Sequence, residues 1–359
     1  MRQIKQGFYS GSGQRPFNEE ALSDFFAVCR LPDFLANQQA VLEVMLTAQP
    51  EIFSDGSLIL DVLDIRIPAG NRQKDEKHLD ACVLCSMSEG EVLPILWNIL
   101  EADTRADVTQ GKLLMSCAMP MLSGKVKRLI VDRGFMSGAW ISELKQKWGL
   151  DVVIGLKSDM VLHQDMVALS QLPETIWLAA QPPKYHKGEI PTRHICYLSD
   201  LDLWEECTVE LAGIVIRDTC SNKTEYYTVV TTDGTAEPET IYDWMRSRWA
   251  IEEAFMTESR YGCLNRIGSC RESVAAAIVH FSLLAYTLLR LFARQEEAES
   301  KNIRGQSPMG RVEFVACWGG YYAIIFPSQL VELVARCAPA WGDRLPSILE
   351  KLRATERPP

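Results

Sequence analysis

Residues 57–68 read SLILDVLDIRIP, an aliphatic run that places a carboxylate, Asp61, directly after Leu and Ile side chains. The β-branched composition and the closing Pro68 predict a strand. Because side chains alternate along a strand, Asp61 and Asp64 are expected on opposite faces. An isolated charge is very costly to bury, so Asp61 is predicted to be solvated, paired with an arginine or bound to a metal ion.

A second carboxylate follows another short strand. Residues 127–135 read KRLIVDRGF, in which the strand RLIV ends at Asp132 and Gly134 allows a sharp turn beside the carboxylate. In open α/β sheets, ligands collect at the carboxyl ends of the strands, where Asp132 is expected to lie. A helix over 139–148 and a strand, DVVIGL, lead from there to Lys157.

A third charged group lies in residues 241–260, which read IYDWMRSRWAIEEAFMTESR. The stretch contains no Gly or Pro and predicts one continuous helix that begins within 235–238. Arg248 and Glu252 stand four residues apart on one face, where an ordinary surface ion pair is the alternative to a functional role. The apolar side of this helix is formed by Trp244, Trp249, Ile251 and Phe255.

The order of the predicted elements indicates the fold class. β-like runs over 79–87 and 91–100 follow the first strand, and a short helix over 113–122 precedes the strand that ends at Asp132. Three strands, helix, strand, helix, strand and a late helix match an α/β, ribonuclease-H-like catalytic core. In that fold an acid on the first strand, an acid after the fourth and an acid on a late helix converge.

These blocks resemble the bacterial insertion-sequence transposases with a DDE triad, of the IS-four group. The resemblance covers about 57–295 and is carried by LILDVLDI, RLIVDRGFMSG, RSRWAIEEAF and LNRIGSCRESVAAAIVHFSLLAYTLL. It implies that Asp61, Asp132 and Glu252 are the catalytic acids and the metal ligands. The exchange of Asp61 for Asp64 stays open, because a shift of one residue in register would swap their faces.

The late helix departs from the family at two positions. The family carries a Tyr, Arg, Glu, Lys signature, of which Arg248 and Glu252 are present, whereas Met245 and Ser259 replace the Tyr and the Lys and Arg260 follows. Two alternatives to an active transposase therefore stay open. One is a catalytically impaired remnant that binds DNA or another protein, and the other is a nuclease without strand transfer.

The resemblance implies phosphoryl transfer on DNA. Two Mg²⁺ ions about 4 Å apart, with Mn²⁺ as a substitute, would activate the attacking oxygen and stabilise the leaving oxygen. Hydrolysis at a transposon end would be followed by attack of the freed 3′-hydroxyl on target DNA. The implied partners are the terminal inverted repeats, target DNA and a second copy of the chain on paired ends. Supporting DNA contacts are expected from Arg133, Lys157, Arg248, Trp249 and Arg260.

Composition argues mildly against a dedicated nucleic-acid binder. The 359 residues carry a net charge of -10, and a DNA-binding surface therefore has to be a local basic patch.

The polar N-terminal sequence and the interrupted apolar run over 275–292 predict no membrane segment and a cytoplasmic protein, associated with the nucleoid when bound to DNA. The 11 cysteines are scattered in apolar contexts and are expected to be reduced. The CxxC of Cys82 and Cys85 lies in a strand-like run without further ligands at metal-site spacing.

The sequence suggests five segments. Pro32 interrupts the helical spacing of 18–47, and Pro182 begins a polar loop over 182–191 that is either solvated or in contact with DNA. The apolar spacing of 312–341 predicts helices that follow a charged linker over 295–310. The segments are an N-terminal helical segment (1–52), the first part of the core (53–159), a β-rich insertion (160–232), the late helices with the third acid (233–295), and a linker with a helical tail (296–359).

Overall fold

The structure is a computed structural model that describes residues 31–68, 76–88, 90–101, 103–182, 189–221, 223–252, 255, 267, 271–299, 314–318 and 321–325. The described residues fall into two compact units, Cys29–Thr287 and a part that begins at Leu288. Asp61, Asp132 and Glu252 all belong to the first unit. The five predicted segment boundaries stay a prediction.

Strands of the first unit form a nine-stranded sheet in the order β3-β2-β1-β4-β5-β9-β8-β7-β6. β1 pairs antiparallel with β2 and parallel with β4, and β4 pairs parallel with β5. This order confirms the predicted ribonuclease-H-like α/β fold. Its first five strands are β1 (Ser57–Pro68), β2 (Glu76–Ser88), β3 (Glu91–Ile99), β4 (Arg128–Val131) and β5 (Asp151–Gly155).

The predicted insertion extends this same sheet. β9 pairs antiparallel with β5, so the strands between the second and third acids continue the core sheet. The description of residues 160–232 as β-rich is incomplete, because a helix, Val161–Leu169, precedes the strands. The strands are β6 (Leu178–Ala180), β7 (Thr192–Leu201), β8 (Leu211–Cys220) and β9 (Lys223–Thr231).

Three of the described helices have a sequence feature that explains where they begin or end. Asp107 and Ser137 accept hydrogen bonds from backbone N–H groups of the helices that follow them, and Gly149 ends one helix in the left-handed conformation. Pro238 lies in the first turn of its helix, as predicted. The helices are α1 (Leu31–Ala48), α2 (Val108–Leu122), α3 (Gly138–Trp148), α4 (Val161–Leu169), α5 (Pro238–Ser247) and α6 (Glu272–Glu299).

One face of β1 packs against the late helices. Ile59 and Leu63 belong to the same buried cluster as Ile241 of α5 and Ile251 just after it. Side chains at every second position share a face, so Asp61 points to this helix-covered side of the sheet. The fold thereby brings the first predicted acid to the segment that carries the third.

The apolar run over 275–292 lies within α6, where the side chains of Ala275 and Val279 are fully buried in the same cluster. No helix in the described part of the chain is long and apolar enough to cross a membrane. α6 continues to Glu299, so the predicted linker over 295–310 begins too early.

The second unit contains a hairpin where the sequence predicted helices. β10 (Phe314–Trp318) pairs antiparallel with β11 (Tyr321–Ile325), and Trp318 pairs with Tyr321. In the sequence, two glycines stand between the two apolar runs, which is a hairpin signal that the helical interpretation overlooked.

Gly213 of β8 is expected to tolerate no side chain. A Cβ at this position would collide with the backbone oxygen of Val229 and would lie 2.9 Å from Cε of Met166. We expect Gly213→Ala to lower the free energy of unfolding by about 1–3 kcal/mol, because the Val229 oxygen belongs to the adjacent strand and cannot move freely. Gly234→Ala is the matched control, since nothing lies within 4 Å of its Cβ position. Urea unfolding of both variants would test this, and equal stabilities would contradict it.

Candidate active site

Asp61 lies in the middle of β1 with only 8% of its surface exposed. Its Oδ1 accepts a hydrogen bond from the backbone N–H of Val62 at 2.8 Å, and its Oδ2 accepts one from Nη1 of Arg248 at 2.6 Å. Burial raises the pKa of Asp61 above its ordinary value, and the Arg248 guanidinium opposes that rise. Asp61 is therefore a buried carboxylate whose charge depends on a cation.

Asp132 lies beside Asp61 because β4 is parallel to β1. Leu60 pairs with Val131, and the backbone N–H of Asp132 donates to the oxygen of Leu60 at 3.3 Å. The next residues form a short 3-10 turn, in which the Gly134 N–H donates to Oδ2 of Asp132 at 3.2 Å. Gly134 has no positive φ, so the turn uses its N–H rather than the conformational freedom that the sequence suggested.

The predicted continuous helix over 241–260 is interrupted at Arg248. α5 ends at Ser247, whose hydroxyl donates to the carbonyl oxygen of Trp244 at 2.6 Å. The Arg248 N–H then bonds to the Met245 oxygen, and the Ile251 N–H bonds to the Arg248 oxygen, both across three residues rather than four. A serine hydroxyl that competes for a helix carbonyl is a known cause of such breaks. Helical structure resumes through Glu252.

The guanidinium of Arg248 lies between the three predicted acids. Its Nη1 is 2.6 Å from Oδ2 of Asp61 and 3.8 Å from Oδ1 of Asp132, and its Nη2 is 3.1 Å from Oε1 of Glu252. The Arg248 side chain is 12% exposed, whereas that of Glu252 is 57% exposed. The predicted Arg248–Glu252 ion pair is present. It is part of a cluster of four charged side chains and is not an isolated surface ion pair.

The donor set of this cluster suits a hard divalent cation. All three acids offer carboxylate oxygens, the ligands that Mg²⁺ prefers, and they already share one cationic group. Within the described ranges, no three His, Cys, Asp or Glu side chains are spaced to hold one metal ion. The residues fit a metal by their chemistry, and in this arrangement the Arg248 guanidinium lies between the acids.

Asp64, the alternative first acid, points away from this cluster. Its side chain is about half exposed, and its Oδ1 lies 2.8 Å from Nδ1 of His78 and 4.0 Å from Nη1 of Arg105. Cys82 and Cys85 of β2 are both buried and free. They lie three residues apart on a strand and therefore on opposite faces, where they cannot bind one metal together.

An open cleft of about 430 Å³ adjoins Arg248 and Asp132. Its lining holds four arginines and two aspartates, although the chain as a whole carries a net charge of -10. Met245 and Trp249 also line it. The charged residues of the lining are Asp132, Arg133, Arg193, Asp218, Arg246 and Arg248.

One wall of the cleft is a network that the sequence did not predict. Arg193 of β7 donates to both carboxylate oxygens of Asp218 on β8, at 2.6 and 2.5 Å, and to the hydroxyl of Tyr242 at 2.9 Å. Burial alone would lower the pKa of Arg193, but its bonds to Asp218 and Tyr242 raise it overall. The strand register that places Arg193 opposite Asp218 is not visible in a single sequence.

Only some of the residues predicted to contact DNA line the cleft. Arg133 and Trp249 line the cleft. Lys157 is exposed after β5 and does not line it. Arg260 and Ser259 lie outside the described residues, as does most of the predicted polar loop over 182–191.

Known proteins resemble this chain in sequence or in structure. No curated protein matches the sequence significantly. Among solved structures, a cryo-EM structure of a piggyBac transposase synaptic complex with hairpin DNA matches with a TM-score of 0.43 and 10% identity, over 71% of this chain and 50% of that one. This chain thus spans about half the length of that transposase chain. A family model described as Transposase DDE domain matches residues 55–288, more than half of the sequence, and the chain belongs to this transposase family.

Proposed function

We propose that this protein is a DNA transposase of the bacterial IS-four type. It hydrolyses a phosphodiester at each transposon end and then joins the freed 3′-hydroxyl to target DNA. The proposal is supported by membership of the DDE family and, above all, by the convergence of Asp61, Asp132 and Glu252 on the guanidinium of Arg248.

Asp61, Asp132 and Glu252 are the proposed catalytic acids and metal ligands. Mg²⁺ or Mn²⁺ held by these carboxylates would activate the attacking oxygen and stabilise the leaving one. Asp61 is fixed by β1 and by its bond to the Val62 N–H, whereas the Glu252 side chain is more than half exposed and can adjust. This combination of fixed and mobile carboxylates suits a site that must admit both metal and DNA.

The arginine-rich cleft is the proposed DNA-binding surface beside the acids. Arg133 follows Asp132 directly, so a phosphate bound by its guanidinium would lie close to the catalytic carboxylates. Trp249 offers an aromatic surface for a base or sugar. The proposed DNA ligands are terminal inverted repeats and target DNA, and a homodimer would hold paired ends.

Cleavage without strand transfer is the second candidate function. Met245 lines the cleft at the position where the family carries a tyrosine, and a thioether cannot donate the hydrogen bond to a phosphate that a phenol can. DNA cleavage without joined products would favour this nuclease function, and DNA binding without cleavage would favour an impaired remnant.

We expect Glu252→Gln to lower metal-dependent cleavage by about a thousandfold, since a metal ligand supplies several kcal/mol of transition-state stabilisation and about 1.4 kcal/mol corresponds to tenfold. The glutamine oxygen can still accept from Arg248, so the fold should persist. The assay is cleavage of duplex DNA with the terminal inverted repeats that flank the gene, in Mg²⁺ or Mn²⁺.

Glu239→Gln is the matched control for this assay, because the substitution removes the same charge. Glu239 is exposed in the first turn of α5, away from the acids. Its rate should stay within about twofold of the wild type. Wild-type protein that binds the repeats but cannot cut them in either metal would contradict the enzymatic proposal. Equal loss in both variants would assign the effect to overall charge.

A further inference from the structure

We propose that Arg248 is a displaceable counter-ion: its guanidinium holds the three acids while no metal is bound, and it moves to a phosphate in the adjoining cleft when metal binds. This inference rests on the proposed function and adds a second state of the site. It assigns to one side chain both the neutralisation of the acids and the capture of DNA.

Arg248 occupies the carboxylate oxygens that are proposed to bind the metal. Oδ2 of Asp61 and Oε1 of Glu252 both accept its N–H groups, at 2.6 and 3.1 Å. A divalent cation at the same oxygens would face a guanidinium at contact distance, and like charges at such separations repel strongly in a partly buried site. Metal and Arg248 therefore compete for the carboxylates.

Asp61 needs a cation beside it whether or not a metal is bound. At 8% exposure its carboxylate is largely withdrawn from water, and the Val62 N–H is its only other described hydrogen-bond donor. A buried carboxylate without a partner destabilises the fold. Arg248 supplies the neutralising positive charge in the metal-free protein. A bound metal ion would supply that charge instead.

The adjoining cleft offers the Arg248 side chain an alternative position. Its side chain lines the cleft together with Arg133 and Arg246, so a short rotation would direct the guanidinium away from Asp61. Its Nε is buried without a hydrogen-bond partner among the described residues. A phosphate bound in the cleft could accept from Nε and one Nη together, in the bidentate geometry that guanidinium groups favour.

The backbone at Arg248 also permits this movement. Arg248 stands in a turn between α5 and the helical residues that follow, and it is held by bonds across three residues rather than by a regular helical ladder. The consequence is coupling: metal releases Arg248 for phosphate, and phosphate removes the competitor for metal. Each ligand is then expected to favour the binding of the other.

The test is Mn²⁺ binding without DNA, measured by isothermal titration calorimetry on the full chain. We expect Arg248→Gln to bind Mn²⁺ roughly tenfold or more tightly than wild type. If Arg248 occupies the carboxylates about nine-tenths of the time, only about one tenth of the wild-type molecules can bind Mn²⁺, and the apparent affinity falls by the same factor. In EDTA the same variant should melt at a lower temperature than wild type. Mn²⁺ should raise the melting temperature of the variant by more than it raises that of wild type.

Two variants accompany this one. Arg248→Lys keeps the charge on a compact group that cannot span three carboxylates, and its Mn²⁺ affinity should lie between those of wild type and Arg248→Gln. Arg246→Gln removes a positive charge from the same cleft without touching the acids, and its Mn²⁺ affinity should match wild type. Arg248→Lys also provides the measurement if the glutamine variant does not fold.

The outcomes separate this inference from the proposed function. Unchanged or weaker Mn²⁺ binding by the Arg248 variants would overturn the counter-ion role, and wild-type cleavage of DNA would then leave the transposase proposal standing. Tighter binding by Arg246→Gln as well would assign the effect to general charge and also overturn the role. Failure of wild type and variants alike to bind Mn²⁺ would count against both proposals.

Discussion

Asp61→Asn is expected to lower metal-dependent DNA cleavage by about a thousandfold or more while the protein stays folded. Asparagine has nearly the same size, and its amide oxygen can still accept from the Val62 N–H. What it removes is the negative charge that Arg248 contacts at 2.6 Å and that a metal ion would need. Loss of one proposed metal ligand would withdraw several kcal/mol of transition-state stabilisation. The measurement is the single-turnover cleavage rate in Mg²⁺, with circular dichroism as the folding check.

Asp64→Asn is the matched control, because it makes the same chemical change three residues along the same strand. Asp64 points to the other face, where its partners are His78 and Arg105. We expect its cleavage rate to stay within about twofold of wild type. A loss of activity in Asp64→Asn with an active Asp61→Asn would reverse the assignment of the first acid.

The sequence alone could not decide between these two aspartates. It predicts that they lie on opposite faces, but the face that meets the late helix depends on contacts far away in the chain. In the structure that choice follows from packing: Ile59 and Leu63 share the cluster of Ile241, and Asp61 lies between them. Asp61 therefore stays the proposed first acid, on the face of β1 that meets the late helix.

Strand-level patterns predicted much of the core. The run over 57–68 forms β1 with the predicted ends, and RLIV forms β4 with Asp132 directly after it. Both segments are rich in Leu, Ile and Val, so their local preference and their burial favour the same conformation. The order of strands and helices then sufficed for the fold class, because the ribonuclease-H-like core is defined by that order.

Other features depend on competition that a local pattern cannot resolve. The residues around Arg248 favour a helix, yet the Ser247 hydroxyl binds the Trp244 carbonyl and the helix ends. Similarly, Arg193 and Asp218 meet through the register of β7 and β8. The sequence indicated the acids by their residue type, whereas the position of Arg248 between all three required the folded chain.

The second large effect is expected at His280, a buried histidine of α6. Its ring stacks on Phe34 of α1 at 4.1 Å, and its Nδ1 accepts from Nε1 of Trp97 at 3.1 Å. Trp97 can only donate, so this imidazole is neutral with its proton on Nε2. Burial lowers the pKa of His280 from 6.5 to about 4. His280 thus links α1, β3 and α6 only in its uncharged form.

The free energy of unfolding is therefore expected to fall as the pH falls from about 6.5 to 4. In this range the unfolded chain binds a proton at His280 that the folded protein excludes, so acid favours unfolding, and the loss levels off below the folded pKa of about 4. The shift from 6.5 to about 4 corresponds to about 3 kcal/mol. His280→Gln keeps an acceptor for Trp97 but does not titrate, and its unfolding free energy should lack this part of the pH dependence. Because the stacking on Phe34 is also lost, the slope with pH, and not the stability at neutral pH, is the informative quantity. Urea unfolding of both proteins at several pH values between 7 and 4 is the measurement. If the unfolding free energy falls equally with pH in both proteins, His280 is protonated in the fold without cost and the prediction is wrong.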